Sequence, residues 1–107
     1  CKIAAGEIPS KKAFEDDRVL AFYDLDPQAP IHILLIPKEH IASAAEITEE
    51  NGTIVAHIFA VAAKLAKDLK LDKGWRVVTN VGADGGQTVM HMHFHLLGGR
   101  SMAWPPG

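Results

Sequence analysis

The run His91-Met92-His93-Phe94-His95-Leu96-Leu97 limits what this chain can become more than any other segment. Imidazole and apolar side chains alternate along it. Successive side chains of a strand point to opposite faces, so Met92, Phe94 and Leu96 would share one face and the three histidines the other. A strand over 89–97 therefore needs an apolar partner on one side and leaves imidazoles at ~7 Å steps on the other. The partner is visible upstream. Ile54, Ile58, Val61, Leu65 and Leu69 recur at three- and four-residue spacing and predict one apolar helical stripe. Thr48 is the expected N-cap, and Glu49 and Glu50 suit the positive helix start. Lys64, Lys67 and Lys70 suit the other end, and Gly74 is the expected terminator.

Further strands are predicted at 18–23, after the acidic turn Glu15-Asp16-Asp17, and at 75–80. Ile31 to Ile36, closed by Pro37, is the expected central strand. Asp26-Pro27-Gln28-Ala29-Pro30 reads as a loop, because proline fixes φ and removes a donor. Short loops and one long helix predict an α+β fold, a mostly antiparallel sheet packed on the helix. With 107 residues and no linker, a single domain over 1–107 is expected. Its small size makes oligomerisation useful.

A net charge of −2 and no basic run longer than Lys11-Lys12 argue against a nucleic-acid partner. No apolar run approaches the ~18 residues of a membrane span, and no signal peptide is visible. Cys1 has no second cysteine in this sequence to pair with, so a reducing, cytoplasmic setting is expected.

A lone histidine is usually solvated or satisfied in a core. Alternation over His91, His93 and His95 is not accounted for that way, and two chemistries remain. Alternate histidines on a strand can reach one zinc, but a catalytic zinc wants a third ligand and supporting carboxylates. No Asp or Glu follows Asp84. Alternatively, a neutral imidazole attacks phosphorus while its neighbours donate to the oxygens. The loop Gly85-Gly86-Gln87-Thr88 runs into the histidines and favours the second chemistry. Its glycines allow close backbone approach to an anion, and Thr88 adds a hydroxyl.

The same residues carry a resemblance. His91 to Leu97 matches the His-x-His-x-His-x-x motif of the histidine triad (HIT) family. Asp24, Gln28-Ala29-Pro30-Ile31-His32, Ile36-Pro37-Lys38-Glu39-His40-Ile41 and Gly85-Gly86-Gln87-Thr88-Val89 match as well. The tail from Gly98-Gly99-Arg100 to Trp104-Pro105-Pro106-Gly107 resembles the Hint branch. The resemblance implies a five-stranded sheet with one long and one short helix, continued across a homodimer. It implies hydrolysis of the P–N bond of purine nucleoside 5′-phosphoramidates through a nucleotidyl-histidine. Dinucleoside polyphosphate hydrolysis, or a nucleotide-binding interaction module with vestigial catalysis, are the alternatives.

By the same resemblance His93 is the nucleophile, His95 binds a phosphate oxygen and Thr88 meets the leaving group. His91 and His32 would form a supporting hydrogen-bond relay. Asp24 would hold the ribose, and Ile3, Ile8, Phe22, Leu25 and Leu34 the purine. Asn80, Gly86 and Gln87 would lie at the phosphate, and Trp104 near the partner subunit's site. No cofactor is expected. A structural zinc on Cys1, His40 and His91 is the weaker alternative, because one thiolate and two imidazoles leave a closed site one ligand short.

Overall fold

A computed structural model describes residues 11–107. The expectations placed on Cys1, Ile3 and Ile8 lie outside the described residues. Strands β1 (Lys12–Glu15), β2 (Val19–Tyr23), β3 (Ile31–Pro37), β4 (Trp75–Val78) and β5 (Phe94–Gly98) form one sheet. Their order is β1-β2-β3-β5-β4, with every neighbouring pair antiparallel. One long helix, α1 (Thr53–Asp68), packs on it, and a short 3-10 turn spans Ala44–Glu46. This is the expected α+β architecture, with Ile31–Pro37 at the centre of the sheet.

Register divides the sheet into two chemically different faces. Ala21, Leu35 and Phe94 stand side by side across β2, β3 and β5, as do Ile33 and Leu96 one step along. These residues meet Ile54, Ile58, Val61 and Leu65 of α1 in one buried core. Full burial of each such side chain contributes about 1.5–3 kcal/mol, so this face carries most of the stability. On the opposite face Phe22, Leu34, His95 and Val78 form a row across four strands. A second, smaller cluster of Leu20, Phe22 and Ile36 lies there, with Leu34 packed against it.

Three local expectations are corrected. The helix begins at Thr53 after Gly52, not at Thr48. Thr48 and Asn51 instead close a turn of their own: the Thr48 N–H donates to Asn51 Oδ1, and the Asn51 N–H donates to Thr48 Oγ1. The helix ends at Asp68 and is closed by Lys70, not by Gly74. Lys70 adopts φ 59°, and the Leu71 N–H donates to Ala66 O and the Lys70 N–H to Lys67 O. That is the Schellman closure with lysine in the left-handed position. Finally, β5 starts at Phe94, so His91 and His93 precede the ladder. Their segment is held by the Met92 N–H, which donates to Ile41 O at 2.6 Å. Strand β1, absent from the sequence expectation, pairs with β2 through an irregular register between Lys12 and Phe14.

Candidate active site

The histidine face is built from two strands and the segment leading into one of them. His95 comes from β5, His32 from β3, and His93 from just before β5. Ring centroids of His93 and His95 are 5.1 Å apart, as are those of His32 and His95. Ligating atoms of Asp24, His32 and His95 all lie within 4.8 Å of one another.

Backbone groups fix which ring nitrogens carry protons. The Gln28 N–H can only donate, and it lies 3.0 Å from His32 Nδ1. His32 Nδ1 is therefore bare, and in the neutral ring Nε2 holds the proton. His32 Nε2 is 2.8 Å from His95 Nδ1 and donates to it. His95 Nδ1 is then the acceptor, which leaves its proton on Nε2. His93 is opposite. Its Nδ1 is 2.7 Å from His91 O, a carbonyl that can only accept, so Nδ1 carries the proton and Nε2 is a bare lone pair. Two neighbouring imidazoles thus offer a nucleophilic nitrogen and an N–H donor.

The relay expected between His91 and His32 is split. His32 bonds to His95, whereas the buried His91 donates from Nε2 to Pro37 O at 2.9 Å. The His91 ring stands edge-on to His40, with centroids 5.2 Å apart. Asp24 Oδ2 lies 3.5 Å from His32 Nε2, and Asp24 Oδ1 accepts the Asp26 N–H at 2.8 Å.

Residues 5–102 match the HIT domain family. The chain belongs to that family. It is similar to a HIT family hydrolase from Legionella pneumophila, with 52% identity and a TM-score of 0.97, covering 100% of this chain and 96% of that one. It is also similar to a histidine triad nucleotide-binding protein from Candida albicans: 38% identity, TM-score 0.81, 98% of this chain and 80% of that one. A 14 kDa zinc-binding protein of Zea mays is 49% identical over 108 residues, covering 99% of this chain and 84% of the relative.

Other expected site residues of this HIT domain take varied places. Phe22 is buried and Leu34 half-buried in the row that includes His95, while Leu25 is 79% exposed. Asn80 is half-buried just beyond β4, and Thr88 is exposed. Gln87 turns inward. Its Oε1 accepts the Gly82 N–H, and its Nε2 donates to Ala42 O and Val89 O. The side chain expected at the phosphate thus ties the loop to the segment beside β3. The Gly86 N–H donates to Ala83 O and the Gln87 N–H to Gly82 O, so these two donors serve the turn, not an anion. Trp104 is 82% exposed on a tail docked by Arg76, whose Nη2 donates to Ala103 O. A cavity of 470 Å³ opens elsewhere, between Lys70–Gly74 and Gly99–Ser101, and no histidine lines it.

Sequence reasoning missed Thr79, whose hydroxyl donates to His93 O at 2.9 Å. It also missed the Gln28 amide and the Pro37 carbonyl as partners of His32 and His91. Backbone groups have no signature in residue type. For Thr79, the only available signal was a hydroxyl at the end of a strand facing the histidines.

Burial pushes the His95 imidazole from its ordinary 6.5 down to about 4, and His93 and His32 add to the shift. Burial lowers His32 and His91 too. A depressed folded-state value means that between pH 6.5 and about 4 the unfolded chain binds more protons than the folded one. The associated stability is complete above that window and is lost as pH falls through it. For the half-buried His95 the loss is roughly 2 kcal/mol, allowing for solvent screening. Urea midpoints at about pH 7.5 and about pH 4.5 measure it. The drop is expected to shrink in His95→Gln, and an equal drop in both proteins would contradict the assignment.

Proposed function

We propose that this HIT domain hydrolyses the P–N bond of purine nucleoside 5′-phosphoramidates through a nucleotidyl-His93 intermediate, as its resemblance to the Hint branch implies. The observation that carries the reading is the pair of opposite tautomers, His93 with a bare Nε2 beside His95 with Nε2–H. The His93 lone pair bonds to the α-phosphorus as the P–N bond breaks. The amine leaves with a proton supplied through the Thr88 region. His93 Nδ1–H remains donated to His91 O, which stabilises the charge gained when Nε2 bonds to phosphorus. His95 Nε2–H donates to a phosphoryl oxygen where charge develops. Water then attacks the phosphorus and releases the nucleotide and a free His93.

Around this centre, Phe22, Leu34 and Leu25 take the purine, Asp24 the ribose, and Asn80 the phosphate. The protein acts as a cytoplasmic homodimer in which Trp104 serves the partner's site. Its exposure on a docked tail, and the open edge of β4, are compatible with that arrangement. Among the described residues, no helix is long and apolar enough to cross a membrane.

A structural zinc is compatible with one feature. His91 Nδ1 is buried without a hydrogen-bond partner among the described residues, and His40 stands beside it. The two imidazoles would supply half of a closed tetrahedral site, with Cys1 the expected further donor. Such an ion would tie the segment before β5 to the end of β3. The proposed chemistry at His93 uses no metal.

Mixing enzyme with adenosine 5′-phosphoramidate, quenching within a turnover and weighing the intact protein tests the reading. A covalent nucleotidyl increment mapped to the His93 peptide is expected. Turnover without an adduct would remove the covalent step. Turnover of a dinucleoside polyphosphate but not of the phosphoramidate would move the protein to the sister chemistry. Binding without turnover of either would make it an interaction module.

A further inference from the structure

We propose that Arg100 is a positioning residue for His95, acting through Gln28 and His32. The inference rests on the reading of His95 as the donor to the phosphoryl group. Arg100 Nε donates to Gln28 O at 3.0 Å, and its Nη1 donates to Ser101 O at 3.1 Å. Gln28 in turn gives its N–H to His32 Nδ1, and His32 gives Nε2–H to His95 Nδ1. A guanidinium at the tail is thus linked, by three hydrogen bonds in series, to the nitrogen that decides where the His95 proton sits.

The loop needs this support. Pro27 and Pro30 flank Gln28 and bring no N–H of their own. The Gln28 side chain bonds only within the loop, to Asp26 O. Among the described residues, Arg100 is the one group from outside residues 24–32 that hydrogen-bonds Gln28. The chain delivers Arg100 there by crossing directly over Pro30. Gly99 has φ +87°, and a Cβ on it would lie 3.0 Å from Pro30 Cβ, so this crossing requires glycine. No carboxylate pairs with Arg100 among the described residues, and its guanidinium is committed to carbonyl groups.

The two tautomers of a neutral imidazole are close in energy, so one hydrogen bond from a fixed N–H selects between them. Without Arg100 the Gln28–Ala29 peptide, whose oxygen it holds, is freer to turn, and the Gln28 backbone that aims the N–H of the preceding peptide at His32 is less fixed. His32 can then protonate Nδ1 and present a bare Nε2. His95 Nδ1 must donate to it, and His95 Nε2 becomes a lone pair facing the phosphoryl oxygens. The donor at the transition state is exchanged for an acceptor.

Two-bond proton–nitrogen NMR reads these ring nitrogens directly. In the wild-type protein His32 and His95 are expected with Nδ1 bare and Nε2 protonated. In Arg100→Ala the His32 and His95 signals are expected to move toward the opposite tautomer, with kcat falling roughly tenfold. Arg100→Lys, which keeps a donor, restores most of both. Arg100 is exposed, so the alanine variant should keep its fold, and the amide spectrum checks this. If ring nitrogens in Arg100→Ala match wild type, the proposal is overturned, even if the variant is less stable. If they respond while wild type shows no phosphoramidate turnover, the positioning stands and the proposed function falls.

Discussion

His93→Ala is expected to lower phosphoramidate turnover on the order of 10⁴-fold or more while leaving nucleotide binding measurable. The size follows from the role. Removing an attacking group deletes the low-barrier route, whereas removing a neighbour only weakens it. Binding should persist because Phe22, Leu34 and Asp24 belong to other strands and loops. The cavity left is small, since His93 is half-buried just before β5 and outside the helix-facing core. Steady-state kinetics with adenosine 5′-phosphoramidate, paired with calorimetric titration of AMP, measures both halves. Near-normal turnover would remove His93 from the mechanism. Loss of AMP binding together with turnover would recast it as a binding residue.

The second large effect concerns the loop before the histidines. Gly85→Ala would place a Cβ 2.4 Å from Val81 O and 3.0 Å from Val81 N. Both are backbone atoms, so no side chain can rotate away and the turn itself must open. A cost of about 2–3 kcal/mol is expected, enough to lower Tm by roughly 10 °C in a domain of this size. Turnover should fall as well, because Gln87 anchors the same loop to Ala42 and Thr88 follows it directly. Gly86→Ala is the comparison. There φ is +83° but a Cβ meets nothing within 4 Å, so only backbone strain of about 1 kcal/mol arises. Thermal melts of the two variants settle the order. Gly85→Ala as stable as Gly86→Ala would mean that the close approach to Val81 is relieved without cost.

The fold was legible where side chains alternate or recur. His91 to Leu97 announced two faces, and the Ile54-to-Leu65 stripe supplied the cover for one. Strand β1 was not legible because Lys12–Glu15 holds few strand-favouring residues and pairs by an irregular register. Thr48 looked like a cap because its hydroxyl does bond a backbone N–H, but that of Asn51 in a separate turn. Of the site, His93 and His95 were readable from their alternation, whereas His32 entered only through the family resemblance and was paired with His91 instead of His95. A backbone carbonyl on the inner nitrogen of His93 was expected, but the proton arrangement of His32 and His91 was not legible, because the Gln28 N–H and Pro37 O belong to the backbone. Gln87 misled for a related reason. A polar side chain in a glycine loop reads as a ligand contact, whereas here backbone groups of the loop and of Ala42 claim it.

The segment that bears His93 and His95 also bears Met92, Phe94 and Leu96, with core and chemistry interleaved one residue apart. Substitutions can tune either set separately. A single inserted or deleted residue cannot, because it would turn every later side chain to the wrong face of the sheet. Histidines would enter the core as Phe94 and Leu96 left it. Descendants of this chain are therefore free to vary in length in the connecting loops but not between Met92 and Leu96, and in that stretch loss of folding and loss of chemistry would come as one event.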